Sequence, residues 1–379
     1  MELNFIGQTV TSRIKNEYIE SFKRIGRLNM PKEAPNTWVQ FKDEIFDFKT
    51  KERFEATPEY FLCNPINYKP NGSDECKVMD KLFEEWVGKE YVETVYEIIA
   101  YCCITDYPIH LIFCFVGSGR NGKSKLIDLI EKFLGIDNIC SSELDCLVKE
   151  RFESAKLYKK LLCTMGETNF NLLTQTSKIK KLSGQDTISF EFKGKDSFDD
   201  KNYAKILIAS NSMPVSDDTS DGFYRRWMIL DFPNEFPEGK NILDTIPEEE
   251  YNHLATKCIN IIPNLLKKGK FSNQGTIEER KKKYIQSSNP ISIFLKNCCN
   301  INIEKNIKYN ELYNAYKQFL LKNKKRVVTI KTFKIAMEEE GFYVEKENFK
   351  LDNDKWTSAL FINGINLKPN WKNYIYDLV

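Results

Sequence analysis

The period of the apolar positions changes along the chain, and each change marks a new kind of element. Residues 37–61, TWVQFKDEIFDFKTKERFEATPEYF, alternate apolar and charged positions and carry many aromatics. That alternation predicts two or three short strands with charged turns. Upstream, residues 1–35 are polar and mixed, with a helix expected near Asn16–Arg27. Residues 64–75, NPINYKPNGSDE, are rich in Pro, Gly and Asn and predict a loop. Helical spacing follows. Leu82, Phe83, Trp86 and Val87 share a face over Cys76–Val87, and Val92, Val95, Tyr96, Ile99 and Ala100 do so over Tyr91–Cys103.

From residue 111 to about 233 the pattern is different. Short apolar runs, LIFCFV, KLLCTM, AKILIAS and RWMILDF, are separated by helical or loop segments. Such runs are typical of strands buried on both faces of a parallel sheet. Residues 240–288 read as helical and increasingly basic, ending in IEERKKKYIQSSNP. The tail predicts helices at Ile291–Cys298, Tyr309–Leu321 and Ile330–Glu340, then two strands, FYVEKEN and SALFINGINL. Helices followed by a two-stranded wing suggest a winged-helix domain. The expected division is a strand-rich region over 1–75, an α/β domain over 76–288 and the winged-helix-like domain over 289–379.

Composition changes this picture little. The chain has 379 residues, 41% of them hydrophobic and 29% charged, which fits two or three solvated globular domains. Net charge is only +2, so any nucleic-acid footprint must be local. Eleven cysteines without a CxxC pair, and two histidines, argue against a zinc site and suit a reducing interior. The N-terminus lacks the apolar core of a signal peptide, and no stretch of about 18 apolar residues occurs, so a soluble intracellular protein is expected.

The chemistry concentrates where the run LIFCFV meets GSGRNGKS, residues 117–124, which matches G-x-x-x-x-G-K-[ST]. Gly117, Gly119 and Gly122 let the backbone curl so that its N–H groups, with those of Ser118, Arg120 and Asn121, face phosphates. The helix that follows adds its positive end. Lys123 reaches the β- and γ-phosphates, and Ser124 offers a hydroxyl to Mg²⁺. ATP and Mg²⁺ are therefore the expected cofactors. Hydrolysis also needs a carboxylate at the end of a second strand, and KLLCTMGETN offers Glu167 as a Mg²⁺ or water ligand. A polar group at the tip of another strand is wanted to sense the γ-phosphate, and Asn211 ends AKILIASN. Arg225 and Arg226 precede the last apolar run. One of them is expected to stabilise transition-state charge in a neighbouring subunit, with Arg226, directly against the strand, preferred.

The order GSGRNGKS, KLLCTMGETN, KIKKLSGQDTISFEFKGK, ILIASNSMP, FYRRWMILDF resembles the superfamily 3 helicases, and most of all the poxvirus-type and the plasmid- and phage-type primase–helicases. KKLSGQD is similar to that family's Lys-x-x-Gly-x-Asp element. Two departures stand out: Asp43-Glu44 where relatives often carry Asn-Gly, and a single acid, Glu167, after Gly166. The residues show no early Asp-x-Asp motif of a primase half over 1–110, so a primase is expected as a separate or fused partner.

The resemblance implies a P-loop AAA+-like motor with a central parallel sheet, flanked by a small β/α region and a winged helix. It implies a hexameric ring that threads single-stranded DNA from 3′ to 5′, in a cell's cytoplasm or at a viral replication site. It also implies a DNA-gripping hairpin, for which ISFEFKGKDSF, residues 188–198, is the candidate, with Lys193 and Lys195 beside Gly194. Two lysines at a hairpin tip neutralise phosphates, though an exposed solvated hairpin reads the same way. Two other readings stand beside the helicase: a DNA-binding ATPase acting as loader or packaging accessory, and a small-molecule kinase.

Overall fold

The computed structural model describes residues 11–26, 30–117, 119–166, 173, 175–237, 242–322, 327–350 and 356–372. Helix α1 (Ser12–Gly26) buries none of its residues. Strand β1 (Lys32–Glu33) is followed by an antiparallel meander of β2 (Trp38–Gln40), β3 (Glu44–Asp47) and β4 (Glu52–Glu55). Strand β5 (Tyr60–Phe61) returns to pair with β1 in parallel. Trp38 ties the two together, its ring 4.7 Å from Phe54 and 4.8 Å from Tyr60. The expected Pro- and Gly-rich loop crosses to α2 (Lys77–Val87) and α3 (Val92–Cys102). The stripe on α2 is buried as its spacing predicts, through Met79, Leu82, Phe83, Trp86 and Val87.

Next comes a five-stranded parallel sheet. Its strands in chain order are β6 (Ile112–Val116), β7 (Ile139–Ser141), β8 (Leu162–Met165), and, after the hairpin β9 (Thr187–Phe190) and β10 (Phe198–Lys201), β11 (Lys205–Ser210) and β12 (Trp227–Asp231). Their order in space is β12-β6-β11-β8-β7, so β6 lies inside the sheet with later strands on both sides. Helices α4 (Lys123–Leu134), α5 (Leu144–Lys149), α6 (Thr176–Leu182) and α7 (Asp221–Tyr224) lie in the connections.

Strand alternation divides the sheet between two cores. Phe113, Phe115, Leu207, Met228 and Leu230 face α2, α3, α4 and the long helix α8 (Glu248–Lys268). Ile112, Cys114, Cys163, Ile206, Ile208 and Ile229 face the other way, with Tyr284 of α9 (Ile277–Ser288). Each fully buried Phe or Ile contributes about 1.5–3 kcal/mol, which explains why these runs contain no polar alternation.

The remaining elements are α10 (Pro290–Cys298), β13 (Cys299–Lys308), α11 (Tyr309–Lys322), α12 (Ile330–Glu339), β14 (Val344–Lys350) and β15 (Trp356–Leu367). They enclose a third core that includes Phe294, Leu312, Tyr316, Phe319, Phe333 and Ile362. The sheet here has three antiparallel strands in the order β13-β15-β14, where two were expected. The additional strand, β13, is exposed at most positions, and its few inward residues gave no apolar face to read. No helix among the described residues is long and apolar enough to cross a membrane.

Candidate nucleotide site

The site lies at the edge of the sheet where β6 and β11 both end. Ser210 stands opposite Val116 in the ladder, and the Gly117 N–H donates to the Ser210 carbonyl at 3.3 Å. The chain then turns back sharply before α4. Arg120 is left-handed at φ 58°, and Gly122, at φ 89°, is the residue before the helix. Gly122 is required twice over. Its φ is costly for any residue with a Cβ, and a Cβ built there would stand 2.6 Å from the Trp86 ring. Gly117 is packed as closely, since a Cβ there would be 2.6 Å from the Phe232 carbonyl oxygen. Trp86 of α2 and Phe232 after β12 thus brace the turn from two sides. Sequence reading had placed Trp86 only on a helix face and assigned Phe232 no part.

Lys123 opens α4 yet is only 8% exposed. Its Nζ donates to the Gly117 carbonyl at 2.6 Å, to Asn121 Oδ1 at 2.9 Å and to Asn211 Oδ1 at 3.4 Å. Asn121 is fixed in turn by its own amide, which donates to the Phe232 carbonyl at 3.3 Å. An ammonium turned inward at the start of a helix, beside neutral oxygens, favours an anion. The cavity it borders has a volume of about 400 Å³ and is lined by Gly119, Arg120, Asn121 and Gly122, by Ser124, and by Gly166 and Asn211 across the sheet edge. Ser124 is exposed in the first turn of α4. Gly166 follows β8 at this edge. Ser118 and Glu167 themselves lie outside the described residues.

Arg225 and Arg226 stand at the opposite edge. Strand β12 pairs with β6 in parallel from Trp227↔Ile112 to Asp231↔Val116. The arginines precede that ladder and Gly117 follows it, a separation of about 20 Å at 3.3 Å per residue. The turn from Gly117 to Lys123 of the same chain is out of their reach. The two differ sharply. Arg226 is buried, and its guanidinium donates to the carbonyls of Gly222 and Lys180 (the latter at 3.2 Å), while Arg225 is exposed. The preference for Arg226 as the outward-reaching group does not fit this burial. Adjacency to a strand, which suggested it, is the reason it turns inward. Nearby His110 has its pKa pushed down by burial and by the charges of Arg226 and Arg225.

The hairpin β9–β10 covers most of the segment singled out from sequence, paired from Thr187↔Lys201 to Phe190↔Phe198. The end of its ladder nearest the tip is held by aromatic contacts of Tyr158 with Phe190 at 5.3 Å and Phe198 at 4.8 Å. Lys193 and Lys195 are exposed at the tip around Gly194, with Lys195 Nζ 5.7 Å from the Phe192 ring.

Residues 115–226, from inside β6 to the second arginine, match the model of a family of unknown function, DUF5906. A protein of Acanthamoeba polyphaga mimivirus, named as a "putative helicase", is 24% identical over 216 residues, covering 53% of this chain and 22% of the viral protein. The chain thus spans about a fifth of that relative's length. Among solved structures, the apo C-terminal region of NrS-1 is similar over 83% of this chain and 79% of its own, with 17% identity and a TM-score of 0.45. A second apo form of that region covers 92% and 90%, with 13% identity and a TM-score of 0.46.

Proposed function

We propose that this chain is an ATP-driven DNA helicase motor of the superfamily 3 type, working as a ring of copies on single-stranded or forked DNA. One observation carries the proposal: Lys123 is turned inward at a Gly-curled turn between a central parallel strand and a helix, within hydrogen-bond reach of Asn211 on the neighbouring strand. A triphosphate fits that arrangement. The cavity collects the loop's backbone, a helix start and a cation, with Ile127 and Ala209 also in its lining.

On this reading the loop from Gly117 to Ser124 holds the phosphates of ATP, with Lys123 on the terminal ones. Ser124 and Glu167 hold Mg²⁺, which when bound neutralises charge on the phosphates. Asn211 contacts the terminal phosphate. The strand order, with the phosphate-loop strand flanked by the strands bearing Asn211 and the arginines, supports a P-loop AAA+-like motor. The three helices and antiparallel sheet after residue 289 support a winged helix. Since neither arginine reaches its own loop, an arginine acts on a neighbour's nucleotide, and Arg225 is the exposed one. The viral relative's name supports the helicase reading over a small-molecule kinase.

Lys123→Ala tests the core of the proposal. It is expected to abolish ATP turnover while leaving the circular dichroism spectrum and gel-filtration profile unchanged. Turnover that survives removes the phosphate-loop assignment. Separation of a forked duplex by the native chain with ATP distinguishes a helicase from a loader or packaging accessory, which would hydrolyse ATP on DNA without separating strands.

A further inference from the structure

The phosphate cavity opens on two neighbours, and a nucleoside joined to bound phosphates must leave through one of them. On the β8 side a cavity of about 490 Å³ shares Gly166 with it and presents Glu143, Glu150 and Glu153 against a single cation, Lys156, which pairs with Glu153 at 2.5 Å. The excess of negative charge there repels a phosphate-bearing ligand, and the lining offers a base no flat apolar surface. On the β12 side a cavity of about 720 Å³ shares Asn211 and reaches Gly117.

The β12-side cavity lies between the end of β12 and the elements α9, α10 and β13. Phe232 and Ile293 contribute buried apolar surface, and Phe342 adds to it. Its charges balance: Lys283 and Lys296 both pair with Asp231 at 2.9 Å, Lys368 donates to the Lys296 carbonyl at 3.0 Å, and Glu235 and Glu340 supply the remaining negative charges of the lining. Three amide side chains in its lining, Gln286, Asn297 and Asn300, make no side-chain hydrogen bond to the described residues; Asn297 is half-buried while Gln286 and Asn300 are exposed. Charge balance, an apolar wall and amides open to a ligand suit an uncharged, flat, hydrogen-bonding group.

We propose that this cavity holds the adenine and ribose of the nucleotide whose phosphates occupy the loop, with Asn297 and Gln286 reading the base edge. An amide pairs with adenine by giving one hydrogen bond and accepting another. The inference rests on the phosphate-loop reading and adds a role for the C-terminal unit: its helix α10 forms part of the nucleotide site.

The test is titration calorimetry of the full chain with MgATP, MgGTP and magnesium tripolyphosphate. The native chain is expected to bind ATP at least about tenfold more tightly than tripolyphosphate or GTP, a difference of about 1.4 kcal/mol. Asn297→Trp fills the cavity and should weaken ATP by about tenfold or more while leaving tripolyphosphate within about twofold. The milder Asn297→Ala should reduce the preference for ATP over GTP severalfold. Loss of both ligands in step in both variants, or no change in either, overturns the proposal. A native chain that binds tripolyphosphate as tightly as ATP does so too. Failure of the phosphate-loop reading itself looks different: Lys123→Ala would then bind tripolyphosphate as the native chain does.

Discussion

Gly122 joins the conformational and steric demands of the turn in one residue. Its φ of 89° and the Trp86 ring beneath it leave no room for a methyl group. Gly122→Ala is therefore expected to lower stability by about 1–3 kcal/mol and to weaken nucleotide binding, read by chemical denaturation and calorimetry. A variant as stable as the native chain would mean that the turn relaxes. The motif alone identified Gly122, because its spacing to Lys123 is covalent. Trp86 could not be found that way, since the contact spans the fold and a helical tryptophan carries no sign of what it meets.

Lys205 is a second case where the sequence was silent. It sits fully buried at the start of β11, donating to the carbonyls of Ile104 and Asp106 just beyond α3, with the Tyr101 ring 4.9 Å away. Burial brings its pKa down to about 7. An unfolded lysine titrates near 10.4, so between about pH 7 and 10 the unfolded chain binds a proton that the folded chain does not. This residue therefore makes stability rise with pH across that window and contributes no slope below it. Denaturation of the native chain and of Lys205→Met at pH 7 and pH 9 checks the sign. The native chain should gain relative to the variant at the higher pH, and a difference independent of pH would return Lys205 to its ordinary range.

Among elements, the β9–β10 hairpin is the clearest candidate for contact with DNA. Its ladder is anchored by aromatic contacts just below the tip, and the tip carries Lys193 and Lys195 in solvent. Replacing both with Ala should leave ATP turnover without DNA unchanged and reduce its stimulation by single strands. It should also flatten the dependence of DNA affinity on salt by about 1.4 in log–log slope, for two lost phosphate contacts on a single strand. An unchanged slope would make the tip a solvated turn.

Elements with a strong period were legible: the four long apolar runs became strands, and α2 and α3 fell within a residue or two of their expected bounds. Those without a period were not. Strand β7 has three residues and β13 exposes most of its length, so neither offers a face from which alternation can be recognised.

At the scale of the whole molecule, the phosphate loop and Arg225 occupy opposite edges of one parallel sheet. Arg225→Ala is expected to reduce turnover by about 10³-fold with nucleotide affinity intact. Mixed with Lys123→Ala, it should recover activity, since each mutant supplies what its neighbour lacks. Turnover near the native rate in Arg225→Ala alone would end its assignment. Arg226→Ala should act instead on stability, because it strips donors from the carbonyls of Gly222 and Lys180. Adjacency to the strand had favoured Arg226. Only the fold tells which is turned inward.

The placement of donor and acceptor at opposite ends has a consequence for assembly. Under the role proposed for Arg225, a copy that lends its arginine to the next either receives one back across a twofold axis or passes the contact onward around a ring. The proposed ring is the second arrangement, a head-to-tail contact that closes on itself. On that proposal, specific activity of the isolated chain should climb steeply with protein concentration, level off once the shared sites are complete, and coincide with a native mass above that of a dimer.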